Sequence, residues 1–171
     1  MLNLFVFDAK TESRVPVTVR AATGKDFAAT EDWQTQWTTP YVNGLPNKVA
    51  LCREDDGELL GLMSYKVVDK NLCVELLYIE SARHSNANLL NATREQKKYH
   101  GIARALFAYA VQVSLDNHFG GVLTLRAKTD ELAEYYSREF GAVSPSRYDQ
   151  YYMIILEEAA ARIIAYFEEE A

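Results

Sequence analysis

Residues 97–110, "KKYHGIARALFAYA", decide the fold. A basic dipeptide passes through a single glycine into small and apolar residues, and the hydrophobic period changes there. Downstream, Ile102, Leu106, Tyr109 and Val113 recur at spacings of 4, 3 and 4, the pattern of an amphipathic helix that ends near the turn at 117–121. A helix front carries unpaired N–H groups and a partial positive charge, so it suits an anion. Gly101 lets backbone approach such a ligand, Ala103 keeps the surface low, and Lys97, Lys98, His100 and Arg104 add charge-assisted donors.

Upstream the chain reads as strands. "KVALCRE" and "LLGLMSYKVV" flank the turn "DDGE", and "NLCVELLYIE" follows after "DKN", so a three-stranded antiparallel meander is expected. Before it, "RVPVTVRAAT" alternates Val15, Val17 and Val19 as a strand, and "LFVF" reads as an extra edge strand. Residues 24–39, with Trp33 and Trp37 one helical turn apart, read as a helix passing into a loop. "TTPYVNGLPN" reads as loop by its proline and glycine content. The stretch between the meander and the central helix, 83–97, is polar and irregular.

Beyond the central helix, "GVLTLRA" is a strand. Thr129 caps a helix through Phe140, with Asp130 and Glu131 in its first turn and Gly141 as its stop. "QYYMIIL" is a late strand, and a last helix runs into Glu168-Glu169-Glu170. The order meander, helix, strand, helix, strand, helix is mixed α/β, with the long helix crossing between two strands that lie parallel.

The bulk numbers fit this frame. The 171 residues, half apolar and a quarter charged, make one globular domain over 1–171. A net charge of −6 argues against nucleic acid or an anionic membrane as the main partner. Cys52 and Cys73 lie in apolar strand-like runs without metal-ligand spacing; buried reduced thiols suit a cytoplasmic protein. No metal cluster is expected. The opening "MLNLFVFDAK" lacks the pattern of a signal peptide or membrane span.

Lys98-Tyr99-His100-Gly101-Ile102-Ala103 resembles the Q/R-x-x-G-x-G/A pyrophosphate loop of the GNAT superfamily, the acetyl-CoA-dependent N-acetyltransferases. The likeness extends from about Lys48 to Phe140, and "ELAEYYSREFGA" is similar to that family's helix bearing a tyrosine before a closing glycine. The resemblance implies a central twisted, mostly antiparallel sheet with flanking helices, to which this chain adds a C-terminal helix. It also implies acetyl-CoA as co-substrate and direct attack of a primary amine on the thioester in a ternary complex. Lys98, Tyr99, His100, Gly101, Ile102, Ala103 and Arg104 would then bind the diphosphate. Backbone around Ile79 and Ser81 would pair with the pantetheine arm, one N–H there serving as the oxyanion donor.

Such a transfer needs a base for the ammonium and an acid for the leaving thiolate. Tyr136, five residues before Gly141, matches the family's tyrosine, and Tyr135 is its neighbour; Leu132, Tyr136 and Phe140 equally form a packing stripe. Glu75 stands in an otherwise apolar strand and resembles in position the general-base glutamate of the histone-acetylating branch; an ordinary solvent-facing residue is the plainer reading. Glu80 competes, with opposite strand parity unless a bulge intervenes. Trp33, Trp37 and Tyr41 either wall an acceptor pocket or belong to the core.

Three departures stand out. Lys98 replaces the usual Gln or Arg, an asparagine usual after the fifth strand is missing, and 83–97 is long enough for a flap. They motivate a second expectation, a catalytically inactive GNAT-like acyl-CoA sensor or protein-interaction module. The acceptor is expected to be a small-molecule or protein amine, and the chain a monomer or homodimer.

Overall fold

Alternating apolar residues build the sheet. In the computed structural model, which describes residues 2–93 and 96–168, the strands are β1 (Phe5–Asp8), β2 (Arg14–Ala21), β3 (Lys48–Arg53), β4 (Leu59–Val68), β5 (Cys73–Ser81), β6 (Tyr99–His100), β7 (Leu123–Arg126) and β8 (Tyr152–Ile155). Val15 and Val17 of β2 turn inward while Arg14, Pro16 and Thr18 face solvent. Gly57, at φ +77°, turns β3 into β4, and Leu72 at φ +52° leads into β5. The meander is therefore present.

The strand order is β6-β1-β2-β3-β4-β5-β7-β8. Antiparallel pairs join β6 to β1, β1 to β2, β2 to β3, β3 to β4, and β7 to β8, whereas β5 and β7 run parallel. Between the parallel strands the chain crosses over through α4 (Ile102–Asp116), as the period change requires. The remaining helices are α1 (Gly24–Ala28), α2 (Pro40–Asn43), α3 (Ala87–Thr93), α5 (Asp130–Phe140) and α6 (Glu157–Glu168). No helix among the described residues is long and apolar enough to cross a membrane.

Two compact units divide the chain. One holds Asn3–Ser64 and Tyr78–Leu106; the other holds Tyr65–Leu77 and the chain from Phe107 onward. In the first, Phe27, Trp33, Trp37, Val42, Ala50, Cys52, Leu62 and Ala82 form one apolar cluster, with Trp37 fully buried and stacked on Phe27. In the second, Phe107 stacks on Phe140 with ring centroids 4.2 Å apart. There α5 begins where the Thr129 hydroxyl accepts from Leu132 N at 3.1 Å and ends at Gly141, φ +69°. Such a cap stabilises a helix by about 1 kcal/mol.

Several expectations fail for identifiable reasons. The helix expected from residue 24 is the five-residue α1, started by a Thr23–Asp26 capping box; Trp33 and Trp37 lie beyond it, held by burial rather than by helical spacing. Pro40 at a first helical position turns part of the expected loop into α2. The stretch read as irregular contains a 3-10 turn, Arg83–Ser85, and α3, neither with apolar periodicity. Arg94 and Glu95 of the expected flap, and Glu169 and Glu170 of the acidic end, lie outside the described residues. β1 is not an edge, because β6 pairs alongside it through Phe7–His100 and Asp8–Tyr99.

Candidate functional site

Gly101 closes β6 and opens α4 at φ +95°, a conformation that L side chains rarely adopt. The first helical bond after it runs from Ala105 N to Gly101 O at 3.0 Å, so the front amides of α4 precede the intrahelical ladder. Gly101 and His100 are exposed, Ala103 and Arg104 are half-buried, and Ile102 is buried. Ile102 also crowds Gly61: a Cβ built there would lie 2.9 Å from Ile102 Cγ2. The glycine in β4 thus lets the head of α4 sit close to the strand.

Behind the loop, a polar clasp fixes its approach. Glu58 accepts from Lys98 Nζ at 2.8 Å and from Tyr99 Oη at 2.7 Å, and His84 Nε2 lies 3.4 Å away. Arg53 Nη1 donates to Tyr99 Oη, Lys98 N to His84 O, and Tyr99 N to Ser85 Oγ. The last two bonds pin the two ends of the 86–97 excursion together. Burial pushes the Glu58 carboxyl up, but Lys98, Tyr99 and His84 outweigh it and hold it below its ordinary value. Burial likewise lowers the His84 imidazole, with Glu58 pulling the other way.

Of the two carboxylates on β5, Glu80 is buried and engaged. Thr35 N donates to its two oxygens at 3.2 and 3.0 Å, and Trp37 Nε1 donates at 3.1 Å. The carboxylate thereby fastens the 30–37 segment, where Trp37 N also donates to Thr30 Oγ1. Ile79 and Ser81 are half-buried on the same strand.

Glu75 stands elsewhere, where β5 and β7 separate. Those strands pair only at Val74–Leu123 and Glu75–Thr124. Past the second pair lies a cavity of about 220 Å³, lined by Glu75, Leu76, Leu77, Leu125, Arg126 and Tyr152. Glu75 is half-buried and makes no hydrogen bond or ion pair among the described residues.

Tyr136 is buried on α5, its ring 5.7 Å from those of Phe107 and Tyr135. Burial, with Tyr135 adding to it, pushes its phenol up to about 12, so it stays protonated at neutral pH. The Tyr136 hydroxyl makes no hydrogen bond among the described residues, and no fully buried side-chain N or O there lacks a partner, so this hydroxyl is not sealed in the core.

No family model and no curated protein matches the sequence. Solved structures do match in shape. A chain of the KacTA–DNA complex aligns at TM-score 0.55 over 87% of this chain and 98% of its own, with 13% identity. AtaTR bound with acetyl-CoA aligns at 0.54 over 86% and 97%, with 16% identity. An acetyltransferase of the GNAT family from Listeria monocytogenes aligns at 0.54 over 88% and 98%, with 12% identity. The chain has the GNAT fold.

At such identities the likeness carries the fold alone. Within the GNAT fold of this chain, the expected residues fall into separate settings: 98–104 at the front of α4, Glu75 in the β5–β7 cavity, Glu80 under Trp37, Tyr136 on α5. Trp33 and Trp37 are core residues, whereas Tyr41 is exposed. Sequence reasoning missed Glu58, which sits in a polar hairpin turn 40 residues before Lys98, and Arg126 and Tyr152, which only the sheet register brings opposite each other.

Proposed function

We propose that this chain is an N-acetyltransferase acting as a single domain, moving an acetyl group from acetyl-CoA to a primary amine in a ternary complex. The observation that carries the reading is Gly101, held at positive φ at the front of the crossover helix between parallel strands that pair at two residues and then part. The diphosphate would lie on the amides at 101–103, with Lys98 and Arg104 supplying positive field, His100 a ring N–H, and Tyr99 and Ile102 anchoring the loop from below. Backbone at Ile79 and Ser81 would take the pantetheine arm as an added strand, and one N–H there would hold the developing oxyanion.

Glu75 is the proposed base, because its carboxylate is uncommitted and faces a cavity. Glu80 has three donor contacts to hold, so its proposed role is to position the segment at Thr35 and Trp37. Tyr136, protonated at neutral pH, would give its proton to the leaving thiolate. The acceptor is a small-molecule or protein amine, and the protein acts as monomer or homodimer.

Titration calorimetry with CoA tests the binding half: micromolar to high-micromolar affinity is expected, and no heat contradicts the reading. Thiol release from acetyl-CoA with a panel of amines tests the chemistry. Both cysteines are free and buried, which keeps the thiol background low. A second reading, an acyl-CoA sensor without catalysis, is favoured by the engagement of Lys98 with Glu58. It predicts CoA binding with no thiol release from any amine.

A further inference from the structure

The β5–β7 cavity carries opposite charges on its two walls without joining them. Glu75 has no partner among the described residues, and Arg126 does not pair with it. Instead Arg126 Nη1 donates to both oxygens of Asp149, at 3.1 and 2.9 Å, and its guanidinium lies 5.8 Å from the Tyr152 ring centroid. One edge of the guanidinium is used this way, and Nε and Nη2 remain for a second anion. Asp149 is itself held in a fastened segment, since Gln150 Nε2 and Tyr151 Oη both donate to Asp130.

We infer that the acceptor is a zwitterionic α-amino acid, its amine beside Glu75 and its carboxylate on Arg126. The inference rests on the acetyl-transfer reading above and adds the acceptor class. Arg126 stands two residues beyond Thr124, the partner of Glu75, which is about 7 Å along a strand. An α-amino acid separates its nitrogen from its carboxylate carbon by ~2.5 Å, and one hydrogen bond of ~2.8 Å at each end spans a similar distance. A guanidinium edge takes a carboxylate in paired hydrogen bonds, which an amide or a bare amine cannot match. Leu76, Leu77, Leu125 and Tyr152 leave an apolar surface for the side chain, in a space equal to roughly seven waters.

The chemistry balances on these groups. The ammonium first loses a proton to Glu75, directly or through water. Its nitrogen then bonds to the thioester carbon as the C–S bond breaks. Glu75 passes the first proton on to water and so can take the second nitrogen-bound proton. The thiolate sulfur takes one proton from Tyr136, whose phenolate is reprotonated from Glu75 through water, and one proton in all is released to solvent. The products are the N-acetyl amino acid and CoA thiol.

The test measures kcat/KM by thiol release at saturating acetyl-CoA. The acceptors are the L-amino acids, their carboxamides and the matching decarboxylated amines, each with the wild type, Arg126→Gln and Arg126→Lys. The best amino acid should exceed its carboxamide by roughly 30-fold, the scale of a charged hydrogen-bonded contact. Arg126→Gln should bring that ratio close to one, chiefly through KM, and Arg126→Lys should restore part of it. CoA affinity by calorimetry should be the same in all three proteins. Equal or better use of amides or amines by the wild type overturns the inference, as does a ratio that survives Arg126→Gln. If CoA binds and none of the three acceptor series releases thiol, the amino-acid reading falls while the cofactor reading stands. If CoA does not bind, both fall.

Discussion

Replacing Gly101 with alanine isolates the conformation on which the cofactor reading rests. The residue stands at φ +95°, and a Cβ there would meet nothing nearer than Val6 Cα at 4.0 Å. The substitution therefore introduces no clash inside the protein; its cost is backbone strain of roughly 1–2 kcal/mol. If the loop keeps its shape, that strain appears as lost stability, a fall in Tm of about 2–8 °C for a chain of this size. If the loop relaxes to negative φ, the amides turn from the anion, and the same energy appears as CoA binding weakened about 5- to 30-fold. Calorimetric melting and CoA titration on one sample read both quantities, and their sum should fall in that range. Gly120 is the control: it stands at φ +69°, and an added Cβ would first meet the flexible Glu157 side chain, at 3.0 Å. Gly120→Ala should lose comparable stability and keep full CoA affinity. An alanine at 101 that changes neither quantity refutes the reasoning. So does a Gly120→Ala protein that loses CoA affinity to the same degree.

Other substitutions separate the remaining roles. Tyr136→Phe should leave CoA affinity unchanged and lower turnover tenfold or more, on the scale of general acid catalysis; since its phenol titrates near 12, the wild-type rate should show no fall from this group between pH 8 and 10. Glu75→Gln should reduce turnover with little loss of stability in urea. Glu80→Gln should do the reverse, because an amide keeps one acceptor for Trp37 Nε1 but puts an NH2 where the second oxygen accepts from Thr35 N, at a cost of about 1–3 kcal/mol. Arg20 holds the Asp26 carboxyl below its ordinary value, and Glu58 is lowered too, so both contribute stability that is present above the usual carboxylate range and lost as the pH falls below it. Asp26→Asn and Glu58→Gln should each flatten the acid side of the stability–pH curve, and an unchanged curve would contradict the pairing.

Local signals were legible in the sequence, and long-range pairings were not. The period change at Gly101, the Thr129 cap and the Gly141 stop each depend on neighbouring residues, and α4 and α5 follow from them. By contrast, α3 has only seven residues, too few for an apolar stripe, and its one local signal, Asn86 accepting from Asn88 N, sits in a run of other polar residues. Glu80 was visible as an acid in an apolar strand, but its partners lie 43 and 45 residues earlier and become donors only once the 30–37 segment folds over β5. Lys98 reads as a phosphate arm when only the loop is considered; its contact with Glu58 depends on where β4 begins. The cavity residues follow from register: Arg126 faces the space beside Glu75 because β5 and β7 stop pairing after Thr124.

Backbone amide shifts recorded by NMR as CoA is added test the central claim most directly, since they report where the diphosphate sits. The account predicts that the amides of Gly101, Ile102 and Ala103 move first and farthest, and that CoA lacking its diphosphate (pantetheine) leaves them still. Saturable CoA binding with those three amides unmoved would contradict it.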